Sequence, residues 1–371
     1  MAGDFEQARE AFFRGLQAQE VGRLDEAEAA YRASLALVPG RASTLNNLGV
    51  VLTALWRDDE ALPCFQQSLA AEPGDATTWV LLGQCQARLG QLPAALTSAD
   101  RALAIADSLA AAWALRGGLL KDLGRHDEAA TALRQAIAHG ADPALQGYLL
   151  ASIEGTDAPP QPPTAYVQEL FDGYAAEFDA HLIGQLHYQA PQTLVNHLAA
   201  QLPGGTQLDT VVDLGCGTGL CGTLLRPLAR QLVGVDLSAG MLRQAQQRGC
   251  YDRLVQADVT QYLNELHALP GQAHALVSAD VFIYIGDLQA VMAGARRVLA
   301  PGGWLALSVE EATESVDFEL RKSSRYAQSA RYLHTLATAQ GLRLQHETRG
   351  PLRQDQGQDV TGLFQWWQLP A

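Results

Sequence analysis

The chain has 371 residues, enough for two or three domains at roughly 100–200 residues each. Apolar residues make up 48%, so core material is ample, while the formal net charge is −14. Of the 26 basic residues only Lys121 and Lys322 are lysines, and no basic run occurs. That balance argues against nucleic acid as a partner, because a polyphosphate needs a cationic face.

The cysteines Cys64, Cys85, Cys216, Cys221 and Cys250 are odd in number and show no metal-ligand spacing. They read as isolated thiols in a reducing compartment. The first residues, MAGDFEQARE, lack the basic and apolar regions of a signal peptide. No apolar run approaches the ~18 residues of a membrane span. The expectation is a cytoplasmic chain with no membrane partner.

The N-terminal part is periodic. Gly15, Gly49, Gly83 and Gly117 stand 34 residues apart. In step with them run Ala27, Ala61, Ala95 and Ala129, then Tyr31, Phe65, Ala99 and Leu133, then Ser34, Ser68, Ala102 and Ala136. A turn position holds Gly22, Gly90 and Gly124, but Trp56 in the second unit. Small residues let two antiparallel helices approach, and the larger column fills the space between them. Asp142-Pro143 reads as an N-cap with proline in the first turn, opening a capping helix to about Ile153. Over roughly residues 8–142 the pattern resembles the tetratricopeptide (TPR) family, which implies a groove for a protein or peptide, or a face for a possible homodimer. Asn46, Gln84 and Arg88 fall where that groove would be lined, or are simply solvated.

Residues 155–165 contain four prolines and read as a semi-rigid linker. The boundaries are then 1–154 for the repeats and 166–371 for a second domain, with a helical lid over 166–205 and a core over 206–371. A fragment beginning near Pro163 is expected to fold alone. Aromatics at helical spacing in the lid, Tyr174 and Phe178 among them, suit either a core or a cover that excludes water.

From Leu208 strands alternate with helices, which implies a parallel doubly wound sheet. LDTVVDLGCGTG is a strand running into a glycine loop. QLVGVDLS ends a second strand at Asp236, DRLVQADV a third at Asp258, and HALVSADVFIYI contains the fourth. WLALSVE follows Pro301-Gly302-Gly303 as the fifth. GLRLQHET and LFQWWQL close the sheet as an antiparallel hairpin, across a long connection PLRQDQGQDVT. The fold class is therefore an all-α solenoid followed by a Rossmann-like α/β domain with seven strands.

Ligands of such sheets bind beyond the carboxyl ends of the strands. Glycines at 215, 217 and 219 let backbone approach a ligand, Asp236 can accept two ribose hydroxyls, and Asp258 can accept an adenine amine. The loop alone is ambiguous, since Gly217, Gly219 and Gly222 also fit the dinucleotide fingerprint. Asp213 before the loop, a second strand-end acid and the closing hairpin favour S-adenosylmethionine over a dinucleotide.

VVDLGCGTG, LVGVDLS, LVQADV and VLAPGG resemble the ordered motifs of class I S-adenosylmethionine methyltransferases. LFDGYAAEFDAHL, LHYQAP and RYAQSARYLHTLATAQGL are similar to bacterial predicted methyltransferases that contain TPR repeats. The resemblance implies a loop of Asp213, Gly215, Cys216, Gly217 and Gly219 around the methionine portion. It implies Asp236 on the ribose, Leu237 and Met241 on adenine, and Asp258 with Val259 at the adenine edge. Ser278 and Asp280 would line the methyl-transfer side, under Tyr174, Phe178 and Tyr188. The candidate bases are His181, His187, Tyr188 and Asp280. The family's YAHS-like segment reads Tyr326-Ala327-Gln328-Ser329 here, which puts any role of that histidine in doubt.

Three functions follow as expectations. The first is methylation of a small-molecule or carrier-bound acceptor, with S-adenosylhomocysteine as by-product and the repeats recruiting a partner. The second is methylation of a protein gripped by the TPR groove. The third is a non-catalytic scaffold that senses the cofactor.

Overall fold

The computed structural model describes residues 2–156, 158–174, 178–179, 188–204, 206–265, 271–355 and 358–371. The chain divides into two compact units, Met1–Glu154 and Gly155–Ala371.

The first unit is helical. Pairs Ala2–Glu20 with Leu24–Leu37, Ala42–Ala54 with Asp58–Ala71, Ala76–Arg88 with Leu92–Ile105 and Ala110–Asp122 with His126–Ala138 precede the helix Pro143–Glu154. The glycine column explains the packing. A Cβ on Gly49 would lie 2.6 Å from the Phe65 ring, and one on Gly15 would lie 2.5 Å from Tyr31. In the third pair Ala99 leaves that space open, and Leu115 of the next pair enters it, 2.8 Å from a Cβ on Gly83. The serine column adds a polar stitch: Ser34 Oγ donates to the Ala8 carbonyl at 2.7 Å, and Ser68 Oγ to that of Ala42 at 3.0 Å. Trp79 and Trp113 likewise donate their indole N–H groups back to Pro73 and Asp107 carbonyls.

Turn geometry follows the glycines. Gly22, Gly90 and Gly124 have φ of 74°, 72° and 74°, and Trp56 is forced into the same left-handed region at 59°. The Arg88 guanidinium lies 5.9 Å from the Trp56 ring and grips Asp58 through both Nε and Nη2. Arg88 is thus part of the array's own scaffold, Asn46 accepts from Thr78 Oγ1 at 3.1 Å, and Gln84 is exposed. Asp142 caps the last helix as its sequence promised, accepting from the Ala144 N–H at 2.9 Å.

The second unit is built on a sheet of nine strands among the described residues. Strands β1 (Leu208–Leu214), β2 (Ala229–Asp236), β3 (Arg253–Gln256), β4 (Ala273–Ser278) and β5 (Leu299–Glu311) are parallel in the order β3-β2-β1-β4-β5. Beyond β5 the sheet turns mixed. Strand β9 (Gln358–Gln368) runs antiparallel along Trp304–Glu310, with β8 (Arg343–Asp355) outside it. The tip of β5, at Glu310 and Glu311, also pairs with β7 (Tyr326–Gln328), which carries β6 (Phe318–Leu320).

Two expectations need correction here. The sheet has nine strands instead of seven, because β6 and β7 are three residues each and too short to show a period. The long connection after Thr348 is also absent as such, since Pro351–Asp355 and Gln358–Thr361 continue the ladder, with a register shift between Pro351 and Arg353.

Period-two alternation sends adjacent tryptophans to opposite faces. Trp367 belongs to the core on one face, with Leu263, Met292 and Leu333, and Trp366 to the core on the other, with Leu194, Val211 and Leu232. Both rings are about 1% exposed. All five cysteines are unpaired, and no described helix is long and apolar enough to cross a membrane.

Candidate functional site

At the carboxyl ends of β1, β2 and β4 lies a cavity of about 400 Å³, within the range of small-molecule sites (roughly 300–1,000 Å³). Its floor is the loop Gly215–Thr218. Gly215, Gly217 and Gly219 have φ of 67°, 53° and 93°, so the loop is a chain of conformations that side chains avoid. A Cβ on Gly215 would strike Val281 at 2.4 Å, which shows how closely the turn after β4 rests on the loop.

Asp236 anchors the loop from β2. Its Oδ2 accepts from the Gly217 N–H at 2.8 Å and its Oδ1 from the Ser238 N–H at 2.9 Å. Burial pushes its carboxyl up to about 6, against the pull of those backbone donors. Asp258 ends the next strand, where it caps the helix Val259–Asn264 by accepting from the Gln261 N–H at 3.0 Å. Asp236, Leu237, Met241, Asp258 and Val259 all line the cavity, as do Gly215, Cys216 and Gly217.

Three anticipated residues fall elsewhere. Asp213 is 1% exposed beneath the loop, where its Oδ2 accepts from the Tyr251 hydroxyl at 2.7 Å. Burial pushes it up to about 7, with Tyr251 opposing and Asp236 adding to the rise. Gly222, the third glycine of the apparent dinucleotide pattern, serves this contact: its Cβ would sit 2.3 Å from Tyr251. Gly219 is the left-handed N-cap of the helix Leu220–Leu225 and does not itself line the cavity, and Ser278 is fully buried inside the sheet.

The entry segment contributes from above. Phe178 lines the cavity, and the Phe171 ring meets that of Tyr284 edge-on at 5.2 Å. Asp172 accepts from Ser238 Oγ at 2.5 Å and from the Gly240 N–H at 2.9 Å, so it helps cap the helix Ala239–Arg248. Asp179 accepts from Thr218 Oγ1 at 2.5 Å and pairs with Arg248, which holds the glycine loop to this segment. His181, His187 and the side chain of Tyr174 lie outside the described residues.

Tyr188 lines the cavity and donates to the Ala279 carbonyl at 3.1 Å. Burial, with Asp280 nearby, drives its phenol well above the ordinary range. Asp280 also lines the cavity, with φ of 59°. Its Oδ2 accepts from Arg353 Nη1 at 2.6 Å, and Arg353 reaches on to Glu310. Among the described residues Asp280 Oδ1 and Arg353 Nε have no hydrogen-bond partner.

Further wall comes from the proline segment. Pro160 O accepts from the Gly286 and Asp287 N–H groups at 2.8 and 3.0 Å, and Pro159 O accepts from Tyr326 at 2.6 Å. Gln161, Pro162 and Thr164 then line the cavity. The stretch read as a linker is thus docked onto the second unit. Gln328, at the position of the family's histidine, is fully buried and donates to the Phe282 and Ile285 carbonyls.

A parallel sheet in this order, with a glycine loop and acids at successive strand ends, is that of a doubly wound nucleotide-binding domain. Residues 212–307 match the family model described as Methyltransferase domain, and residues 40–108 and 110–138 match Tetratricopeptide repeat models. The chain combines TPR repeats with a methyltransferase domain. It is 42% identical over 94 residues to human (Homo sapiens) Methyltransferase-like protein 27, covering 25% of this chain and 38% of that protein. It is 33% identical over 157 residues to a Malonyl-[acyl-carrier protein] O-methyltransferase of Alcanivorax borkumensis, covering 39% and 48%. The chain spans less than half the length of the curated relatives it matches. Among solved structures, Burkholderia thailandensis 1,6-didemethyltoxoflavin-N1-methyltransferase is 18% identical with a TM-score of 0.45, covering 58% of this chain and 94% of that one.

Proposed function

We propose that this chain transfers a methyl group from S-adenosylmethionine to a small-molecule or carrier-bound acceptor, while its repeats recruit a partner. The observation that carries the reading is one cavity holding both Asp236 and Asp258 beside an open glycine loop. The residues fit the cofactor. Each Asp236 oxygen accepts one backbone N–H and keeps a lone pair for a ribose hydroxyl. Leu237, Met241 and Val259 offer an apolar slot for adenine, with Asp258 at its edge.

The cofactor, when bound, supplies an activated methyl group on sulfur. The chain's own part is alignment and exclusion of water. Phe171, Phe178 and Tyr284 form an aromatic cover, and Asp172 and Asp179 tie that cover to the helix and loop beneath it. Enclosure by these rings favours a small acceptor group over an extended chain.

Calorimetry on the full chain tests the proposal. S-adenosylhomocysteine should bind at micromolar concentration while NADH and NADPH give no heat. Tight dinucleotide binding with a silent S-adenosylhomocysteine titration would reject it.

A further inference from the structure

Asp280 is held in place from several sides. Its backbone sits at φ 59°, a left-handed conformation that aspartate adopts more readily than most non-glycine residues. Its N–H donates to Ser308 Oγ at 2.9 Å, which ties the turn to β5. The Asp280 side chain is 10% exposed, and those of Arg353 and Glu310 are 3% and 4% exposed. Arg353 spends one nitrogen on each acid, and Glu310 is held in turn by Arg321 at 3.0 Å. The carboxylate of Asp280 is therefore fixed by one oxygen only. The other, Oδ1, is buried with no donor among the described residues.

A buried acceptor without a donor is rare, because it has lost its water and gained nothing. An orphaned polar atom on a residue that lines the cavity marks a place kept for a ligand. The position is right for the reacting group. Asp280 lines the cavity at the end of β4, and Val281 beside it packs against Gly215 of the loop. Resting on the transferase reading above, we propose that the methyl acceptor presents an N–H or O–H donor to Asp280 Oδ1. The acceptor class is then an amine or a hydroxyl compound. An ionised carboxylate is disfavoured, since it would set acceptor against acceptor. Arg353 and Glu310 are positioning residues that fix the rotamer of Asp280.

The test uses the full chain, methyl-labelled S-adenosylmethionine and a whole extract, small molecules and proteins included, of the cells that make the protein. The labelled product should carry its methyl on a nitrogen or oxygen that bore a hydrogen in the acceptor. Asp280→Asn keeps the shape and tolerates the left-handed backbone. It should lower kcat/KM for that acceptor roughly 10- to 100-fold, the loss of a charge-assisted hydrogen bond. Its Kd for S-adenosylhomocysteine should stay within about threefold of the parent, a difference too small to count as a lost hydrogen bond. Label on a carboxylate, a carbon, a sulfur or a tertiary amine overturns the inference and leaves the transferase reading standing. So does an unchanged kcat/KM, or a fall that only follows cofactor affinity. No labelled product from a chain that binds S-adenosylhomocysteine overturns both.

Discussion

The Tyr251 hydroxyl lies 2.7 Å from Asp213 Oδ2, joining the end of β1 to the start of β3 beneath the glycine loop. Glycines at 222 and 234 make room for the ring, whose atoms would lie within 3.0 Å of a Cβ at either position. Tyr251→Phe keeps the packing and removes the donor from a fully buried acid. The expected loss is about 1–3 kcal/mol, the cost of leaving a buried polar group unpaired. Denaturant unfolding measures it, and an unchanged midpoint would show that Asp213 does without this bond.

Cofactor affinity should depend on pH through Asp236. Its folded-state value, about 6, lies above the ~3.9 of an unfolded aspartate, and that of Asp213 is about 7. Between about pH 4 and 7 the folded chain therefore holds more protons than the unfolded chain. Stability from these two groups is greatest below the unfolded value and is lost as pH rises through 6 and 7. Binding runs the other way, because ribose hydroxyls need the ionised Asp236. Affinity for S-adenosylhomocysteine should fall about tenfold per pH unit below 6, and Asp236→Asn should flatten that slope. Titrations at several pH values decide it; a parallel slope in the variant removes Asp236 from the ribose site.

In the repeat unit, Gly49→Ala should destabilise by about 1–3 kcal/mol, because the new methyl overlaps the fully buried Phe65 ring. Combining it with Phe65→Leu should recover part of the loss. If the two changes simply add in thermal melts, the glycine and aromatic columns are not coupled in the way their contact implies.

The proline segment makes a prediction about fragments. A fragment spanning 155–371 should fold and bind S-adenosylhomocysteine like the full chain. One that starts at Thr164 removes Pro159 and Pro160, and with them the carbonyls that accept from the Tyr326 hydroxyl and from the Gly286 and Asp287 N–H groups. It also strips Gln161 and Pro162 from the cavity wall. Its stability should drop by at least about 1–3 kcal/mol and its affinity should weaken. Equal behaviour of the two fragments would return the segment to a mere tether.

Much of this molecule is local, and local features leave marks in a sequence. The 34-residue columns are legible because each repeat solves the same packing problem with the same small and large residues. The glycine loop and the acids Asp236 and Asp258 are legible because strand ends and left-handed turns demand particular residue types. The third repeat shows the limit. Ala99 at the aromatic position looks like a defect until Leu115 is seen to enter from the next pair.

The site's second half was decided by the tertiary structure. Arg353 stands 73 residues from Asp280 in a stretch that reads as a polar connection, and nothing in its neighbours foretells burial. It reaches the cavity because β8 pairs with β9 past Pro351 and shifts register just before it, which only the assembled ladder fixes. Tyr251, Asp172 and the proline segment are alike in this. Each meets its partner through a contact between elements far apart in the chain, and a periodic pattern records which face of an element is buried but not what it is buried against.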